Sequence, residues 1–200
     1  MSRSIHVALI RHAPTAWTVE RRVQGRGDHP LSSEGEAQAA RWRLPDDLAR
    51  HHATGRLAWA VSPLRRALET ARHLGAVAPV VEPRLLEMHY GAWEGLTHAE
   101  VDALTEHSGW DDRPPGGESP AEVLARVRAW LDDLAIARGP DTWVAVTHGG
   151  VIRVLLAAAI DWDLRPPAPW RLVPERVHRI RRRGDGHLQL VTLNEPLVPL

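Results

Sequence analysis

Three residue types are missing from this 200-residue sequence, which contains no cysteine, no phenylalanine and no lysine. Without cysteine the chain can form no disulfide, no thiolate metal site and no cysteine nucleophile. Without lysine, all 25 basic residues are arginines. Every cationic anchor is therefore a guanidinium, which stays charged and can hold an oxyanion through two parallel hydrogen bonds.

An excess of one charge and a long hydrophobic run are also lacking. The 25 basic residues balance 25 acidic residues, so nothing general points to nucleic acid or an anionic membrane surface as a partner. No segment is long enough to span a bilayer, and the apolar run near the start is too short for a signal peptide. We therefore expect a cytoplasmic protein that binds neither nucleic acid nor a membrane.

Strand-like and helical segments alternate along the chain. Strands are predicted at 5–10, 56–61 and 142–147, with a shorter one at 78–82 and a final pair joined through Gly184, Asp185 and Gly186. The composition, 44% hydrophobic and 25% charged, is typical of a globular protein. The length suffices for one domain with a small cap. The alternation predicts an α/β architecture around a largely parallel sheet.

Helix starts are marked by capping residues and prolines. The predicted caps are Ser33 with Glu36, Ser62 followed by Pro63 at the first helical position, Thr97 with Glu100, and Ser119 with Glu122. Pro45 is expected to interrupt or end the first of these helices, and Gly75 to end the second. The third is expected to run to about His107.

Polar residues directly follow three of the predicted strands. Arg11 and His12 follow the first, "SPLRR" with Arg65 and Arg66 follows the second, and "THGG" from His148 follows the strand at 142–147. In open α/β sheets, ligands bind outside the carboxyl ends of the strands. A single histidine after a strand more often has a structural role, but three polar motifs at one edge predict a binding site.

Six segments carry a more specific signal. They are "LIRHAPTAW", "HPLSSEGEAQA", "SPLRRALETA", "LLEMHYGAWEG", "PPGGES" and "VTHGGVIRVLL", from about residue 5 to residue 157. In content and order they resemble the histidine phosphatase superfamily, in the branch related to cofactor-dependent phosphoglycerate mutases. Where that family usually has "RHGE", this sequence has Ala13 and Pro14, a difference that bears on the substrate more than on the core chemistry.

The resemblance implies a fold and a catalytic set. The implied fold is a phosphoglycerate mutase-like three-layer α/β/α sandwich, with 1–200 as a single domain and 87–118 as a small cap or rim over the active site. By position in the matching segments, His12 is the nucleophile and Arg11 its phosphate-binding neighbour. Arg66 is a second phosphate ligand, Glu87 the proton donor and His148 the second histidine of the pocket.

The resemblance also assigns residues to the substrate. They are Thr15, Trp17, Thr18, Gln24, Glu118, Ser119 and Gly149. Thr15 matches a hydroxyl that touches phosphate, and Trp17 an aromatic residue near the entrance. Glu118 and Ser119 belong to a loop at the rim, although helix capping is the alternative interpretation of the serine.

Phosphoryl transfer suits these residue types. The transferred group spreads negative charge over its oxygens, so catalysis depends on positioning and on fixed positive charge. Arg11 and Arg66 supply that charge, and we expect them to lower the pKa of His12, which keeps the ring neutral and nucleophilic. The same arginines favour ionised Glu87, whereas an arriving phosphate dianion favours the protonated acid that the leaving group needs.

The expected function is hydrolysis of a small phosphomonoester through phosphohistidine, as in the similar α-ribazole and broad-specificity phosphatases. A cofactor-dependent phosphoglycerate mutase is the alternative. Family mutases carry a cationic insertion after the glutamate motif, whereas Arg113 is the one basic residue between Glu87 and "GGES" here. A catalytically silent phosphate-binding module is the third hypothesis. Such a module would have lost the nucleophile or an arginine, and both are present.

Neither a cofactor nor a metal is expected. The sequence has no HExxH motif, and the adjacent His51 and His52 are interpreted as compensating a helix dipole. The basic run around Gly184 is interpreted as a solvated hairpin. A homodimer is compatible with the sequence, which determines neither the oligomeric state nor the identity of the substrate.

Overall fold

Eight strands and seven α-helices make up the described part of this computed structural model, residues 2–105 and 109–199. The strands are β1 (Ile5–Arg11), β2 (Trp42–Arg43), β3 (Leu57–Val61), β4 (Val80–Val81), β5 (Thr142–Thr147), β6 (Arg176–Arg182), β7 (Leu188–Pro196) and β8 (Val198–Pro199). The helices are α1 (Ala16–Val19), α2 (Ser33–Ala39), α3 (Asp46–Ala53), α4 (Arg65–His73), α5 (His98–Asp102), α6 (Pro120–Ile136) and α7 (Gly149–Ala159). Two short 3₁₀ turns, Pro83–Leu85 and Gly91–Trp93, lie between β4 and α5.

Six of the strands form one sheet in the order β4-β3-β5-β1-β6-β7. β1 pairs in parallel with β5, β5 with β3, and β3 with β4, whereas β6 is antiparallel to both β1 and β7. Within this sheet β6 therefore runs against the other five strands. The prediction of a mostly parallel sheet is confirmed, and the expected C-terminal hairpin is its antiparallel edge.

Side chains of the central strands alternate between two cores, one on each face of the sheet. Along β1, Ile5, Val7 and Leu9 join one core, and Ala8 and Ile10 join the other. Residues of α6 and α7 cover the first face, and residues of α2, α3 and α4 cover the second. Burial on both faces explains why these strands read as continuous apolar runs. The three-layer α/β/α sandwich is confirmed.

Two predicted helix starts are wrong in detail. Helix α2 is capped by Ser32 rather than Ser33, since the Ser32 hydroxyl accepts a hydrogen bond from the Gly35 N–H at 3.1 Å. It ends at Ala39, well before Pro45, which instead precedes α3.

Helix α4 begins at Arg65, so Pro63 is not its first residue and Ser62 does not cap it. The Ser62 hydroxyl lies 2.7 Å from Nε2 of His148, and this pairing explains why it is not used as a cap.

Other local predictions are confirmed. The capping boxes at Thr97 and Ser119 are both present, and basic side chains including His51 and His52 occupy the last turn of α3. Helix α5 ends at Asp102, and the predicted end near His107 lies outside the described residues. The four-residue α1 and the two-residue ladder of β2 with β8 were not predicted, because elements this short carry no periodicity.

The register of the sheet positions the polar motifs. Arg11 at the end of β1 lies opposite Thr147 of β5, and Val61 at the end of β3 lies opposite Val146. The residues that follow these three strands therefore emerge side by side from one edge. None of the helices in the described ranges combines the length and apolar character that crossing a bilayer requires.

Candidate active site

His12 lies directly after β1 and is 6% exposed. Its backbone N–H donates to the carbonyl of Thr147 at 3.0 Å, which ties it to the end of β5. Nδ1 of its ring lies 2.7 Å from the carbonyl oxygen of Ala13. A carbonyl can only accept, so Nδ1 carries the proton and Nε2 of the neutral ring carries the lone pair.

A hydrogen bond from Arg66 to Nε2 of His12 favours the same tautomer, in which the proton is on Nδ1. Nε of Arg66 donates to Nε2 of His12 at 3.2 Å, and the whole residue is buried. The other two guanidinium nitrogens donate to the carbonyl oxygens of Gly27 at 2.5 Å and Gly25 at 2.8 Å. Within 2–105 and 109–199, Arg66 forms no ion pair with a carboxylate. The site therefore contains a buried positive charge held by neutral partners.

The loop that supplies these carbonyls cannot carry a side chain at Gly25. The φ angle there is +48°, and a Cβ would lie 2.0 Å from Oε1 of Glu94. That oxygen accepts hydrogen bonds from the N–H groups of Arg26 at 3.1 Å and Tyr90 at 3.2 Å. Glycine is therefore required both for the left-handed conformation and for the close approach of Glu94.

The electrostatic environment keeps His12 neutral. Burial, followed by the positive charges of Arg11 and Arg66, holds the pKa of His12 well below its usual value of 6.5. The depressed pKa predicted from the sequence therefore has the expected arginines among its causes, although burial is the largest contribution.

His148 begins the turn from β5 into α7 and is completely buried. Its ring centroid lies 5.2 Å from that of His12. Nε2 pairs with the hydroxyl of Ser62, while Nδ1 is buried without a hydrogen-bond partner among the described residues. Burial is the largest cause that lowers the pKa of His148 well below 6.5, followed by repulsion from His12 when that ring is protonated and by the positive charges of Arg66, Arg11 and Arg126. His148 is thus a neutral ring with one nitrogen that no protein group in the described ranges engages.

Glu87 is buried beside the start of α7. Its two carboxylate oxygens accept hydrogen bonds from the N–H of Met88 at 2.8 Å and the N–H of Gly150 at 3.1 Å. A Cβ at Gly150 would lie 2.5 Å from Oε1 of Glu87 and 2.9 Å from the Tyr90 hydroxyl. The second glycine of "THGG" therefore leaves room for the carboxylate against the helix N-terminus.

Arg11 differs from Arg66 in being exposed. Its side chain crosses the start of α7, where a Cβ at Gly149 would lie 3.5 Å from Nε of Arg11. In the part of the chain that the structure describes, its guanidinium forms neither an ion pair nor a hydrogen bond. The structure thus brings together His12, Arg11, Arg66, Glu87 and His148, with Gly149 at their edge.

The hydroxyl of Thr15 is already engaged within the protein. Thr15 is fully buried, caps α1 and donates to Oε1 of Gln24 at 2.9 Å. The Gln24 amide in turn donates to the hydroxyl of Thr18 at 2.9 Å. These three residues form one network beside the site, and their assignment to the substrate stays a prediction.

The aromatic residue predicted near the entrance, Trp17, stacks on His29 with ring centroids 4.1 Å apart. Ser119 caps α6 and is 5% exposed. Glu118 forms ion pairs with Arg26 and Arg126, at 2.9 Å and 3.2 Å. The rim loop therefore has structural partners of its own, and its contact with substrate stays a prediction.

A cavity of about 460 Å³ adjoins the site on the Glu87 side. Met88, Tyr90 and Gly150, which lie next to Glu87 or contact it, are among its lining residues. Most of its wall is apolar, from Val23, Trp93, Val101, Val154 and Leu164, with polar side chains from His98, Asp102, Asp112 and Arg153. The two histidines and Arg66 do not line it, so this space adjoins the histidine pair rather than containing it.

Sequence reasoning missed several residues of the site. Ser62 was interpreted as a helix cap, and nothing local distinguishes that role from its contact with His148, 86 positions away. The carbonyls of Gly25 and Gly27 were missed because main-chain groups carry no sequence signal. In the described ranges, no group of three or more histidine, aspartate and glutamate residues is arranged to hold a metal ion.

Comparison with a family model places the site in context. The model described as histidine phosphatase superfamily (branch 1) matches residues 7–196. This range contains all of the side chains described above.

Individual proteins with related sequences include phosphatases and a mutase. The chain is 35% identical over 189 residues to glucosyl-3-phosphoglycerate phosphatase of Mycobacterium tuberculosis, covering 84% of this chain and 79% of the relative. It is 34% identical over 169 residues to a probable phosphoglycerate mutase, GpmB, of Enterobacter sp., covering 78% and 75%. The solved mycobacterial glucosyl-3-phosphoglycerate phosphatase in complex with VO3 matches with a TM-score of 0.75 at 30% identity, covering 96% of this chain and 99% of that one.

The buried neutral histidine makes folding stability depend on pH. Because the pKa of His12 is far lower in the folded than in the unfolded chain, the unfolded chain binds the extra proton below pH 6.5. Stability is therefore present above that pH and is lost as the pH falls. We expect the unfolding free energy of the wild type, relative to His12→Asn, to fall by about 2 kcal/mol between pH 7 and pH 5. Urea unfolding of both proteins at pH 7 and pH 5 measures this change. If the difference in unfolding free energy between wild type and His12→Asn were the same at the two pH values, the expectation would be wrong.

Proposed function

Because the chain belongs to the histidine phosphatase superfamily (branch 1), we propose that this enzyme hydrolyses small phosphomonoesters through a covalent phosphohistidine on His12. The observation that carries the proposal is the lone pair of His12 Nε2. It is defined by the Nδ1 contact to Ala13 at 2.7 Å and lies 3.2 Å from a buried guanidinium nitrogen. A neutral nucleophile beside fixed positive charge is what attack on a phosphate dianion requires.

The reaction proceeds in two displacements. As the phosphate enters, the Nε–H of Arg66 passes from Nε2 of His12 to a phosphoryl oxygen, which frees the Nε2 lone pair. Nε2 attacks phosphorus, the bond from phosphorus to the ester oxygen breaks, and Glu87 gives its proton to that oxygen. Water then attacks phosphorus and gives a proton to Glu87, and the phosphorus–nitrogen bond breaks to release inorganic phosphate. The Ala13 carbonyl, which accepts from Nδ1, stabilises the positive charge that the phosphorylated ring carries in between.

The remaining polar groups stabilise the transferred phosphoryl group. Arg66 and Arg11 offer guanidinium donors to its equatorial oxygens. His148 has an unpartnered Nδ1, which acts as a further donor when Nε2 accepts from the Ser62 hydroxyl. The leaving oxygen takes its proton from Glu87 in its protonated form.

The cavity on the Glu87 side accommodates the leaving group. Its volume of about 460 Å³ suits a metabolite-sized alcohol, and one of its lining residues is Gly150, whose N–H donates to Glu87. An ester oxygen beside that carboxyl would place the rest of the leaving group in this space. The relatives named for glucosyl-3-phosphoglycerate and phosphoglycerate chemistry act on esters of this general size.

Mutase activity is the second candidate, favoured by the similarity to GpmB. A mutase must retain its phosphorylated intermediate against water. Between Glu87 and Glu118 the basic residue is Arg113, and it pairs with Glu122 at 2.5 Å and with the Gly117 carbonyl at 2.9 Å. We therefore propose that hydrolysis dominates. A coupled mutase assay with turnover comparable to phosphate release would overturn this choice.

Location, partners and domain organisation stay predictions from the sequence. These are a cytoplasmic enzyme, one domain spanning 1–200 with 87–118 as the rim, and no nucleic-acid or membrane partner.

The role of His12 is tested by covalent labelling. We expect His12→Ala to abolish turnover and acid-labile labelling by a ³²P-phosphomonoester, because the nucleophile is removed. His148→Ala should lower turnover but retain some label. Thermal unfolding controls for the fold of both variants. Label lost only in the His148 variant would reverse the two roles. Acid-stable label would contradict a phosphohistidine, and a wild type with neither label nor turnover would favour a silent binding module.

The adjacent arginines Arg65 and Arg66 provide a matched pair. Arg66 is buried against His12, whereas the Arg65 side chain is 57% exposed and pairs with Glu69 at 3.3 Å. We expect Arg66→Lys to lower kcat/KM by about a hundredfold to a few thousandfold, since the single ammonium of lysine cannot reproduce the two parallel hydrogen bonds of a guanidinium. Arg65→Lys should stay within about tenfold of the wild type. Steady-state kinetics measures both, and equal losses would show that the wrong guanidinium has been assigned.

Metal independence is a separate expectation. The proposed steps use only protein groups and water, so activity should survive dialysis against a chelator. Phosphate release is measured before and after EDTA treatment. Loss on chelation with recovery on adding a divalent ion would contradict the metal-free mechanism.

A further inference from the structure

Arg126 lies on α6, outside the residues to which a role has been assigned so far. We propose that Arg126, acting with Glu118, is a positioning residue that holds Glu87 in place to protonate the leaving group. The inference rests on the proposed function, and specifically on Glu87 as the proton donor. If Arg126 positions the acid, its loss should slow substrates whose leaving group needs a proton more than substrates whose leaving group does not. A purely structural role predicts equal losses for both.

The Arg126 guanidinium binds the backbone of the segment that carries Glu87. Nη1 donates to the carbonyl of Arg84 at 2.5 Å, and Nη2 donates to the carbonyl of Glu87 itself at 3.3 Å. The side chain is 17% exposed, so these bonds are largely shielded from water. A charged donor thus contacts the main chain at the first and last residues of 84–87.

Glu118 links Arg126 to the main chain of His89, which lies two residues after Glu87. Its carboxylate accepts from Nε and Nη2 of Arg126, both at 3.2 Å, and from the N–H of His89 at 3.0 Å. Its own N–H donates to the carbonyl of His89 at 2.8 Å. Burial alone would raise the pKa of Glu118, but the bonds from Arg126 and His89 lower it below its usual 4.5, so the pair is ionised.

These contacts leave the Glu87 carboxylate few ways to move. Its main chain is held before and after the residue by one ion pair, and its carboxylate is held by the Met88 and Gly150 N–H groups. Neither Arg126 nor Glu118 lines the cavity or contacts His12. Arg126 also contributes positive charge near His148, so a substrate comparison is needed to isolate the part of its effect that passes through the placement of Glu87.

A pair of substrates separates positioning of the acid from general structural support. Propyl phosphate has a poor leaving group that must be protonated, whereas 4-nitrophenolate leaves without help. For Arg126→Gln we expect the ratio of kcat/KM for propyl phosphate to that for 4-nitrophenyl phosphate to fall about tenfold to a hundredfold, a part of the 10²–10⁴ that a general acid contributes. Glu87→Gln should lower the same ratio at least as much. In the double variant the ratio should fall no further than in Glu87→Gln, because both changes act on one proton transfer.

Arg128→Gln is the matched control, since Arg128 is exposed on the same helix two residues away. It should leave both substrates unaffected. Arg126→Lys should recover part of the ratio, because it restores a donor to one carbonyl. Glu118→Gln conserves side-chain size and should also lower the ratio of the two kcat/KM values. It serves as the test if thermal unfolding shows that Arg126→Gln is poorly folded.

The outcomes distinguish this inference from the proposed function. Equal losses on both substrates in Arg126→Gln and Glu118→Gln would overturn the positioning role and leave the phosphatase proposal intact. A wild type that hydrolyses neither substrate would overturn the proposed function itself. A normal ratio in Glu87→Gln would remove Glu87 as the acid, and the role of Arg126 with it.

Discussion

A guanidinium buried without a carboxylate partner is the constraint on which the rest of the site depends. Arg66 is 0% exposed, and each of its three guanidinium nitrogens donates one hydrogen bond, to the ring of His12 or to one of two main-chain carbonyls. Removing a charge from water costs several kcal/mol, and carbonyl dipoles offset only part of that cost. The remaining positive potential favours an unprotonated neighbouring histidine and attracts a dianion. The same feature therefore explains why the His12 ring is neutral and favours a negatively charged ligand beside it.

Two glycines of the site, Gly25 and Gly150, leave space for the close approach of carboxylates to the main chain. Gly25 allows the loop to pass close to Glu94 while its carbonyl faces Arg66. Gly150 allows Glu87 to lie against the N-terminus of α7. In both places a carboxylate approaches the main chain more closely than a Cβ would permit. The placement of Glu87 and Arg66 thus depends on backbone space as much as on side chains.

The sequence predicts the sheet better than the contacts at its edge. Strands β1, β3 and β5 are buried on both faces, so their apolar runs are long and unambiguous. Ser62 could cap α4 or pair with His148, and only the tertiary structure decides between them. Helical phase did not separate Arg65 from Arg66. The resemblance to a family did, and the burial of Arg66 agrees with that choice.

The Arg66 guanidinium is held by the main-chain carbonyls of Gly25 and Gly27. Part of the electrostatic potential at the site therefore depends on the conformation of this backbone segment. Main-chain oxygens keep their dipoles whatever side chains the loop carries, so apart from the glycine required at position 25 the loop contributes through its turn geometry. A change in loop length or turn type would reorient those dipoles and move the guanidinium relative to His12. The potential at the nucleophile is therefore adjustable without adding, removing or replacing any charged residue.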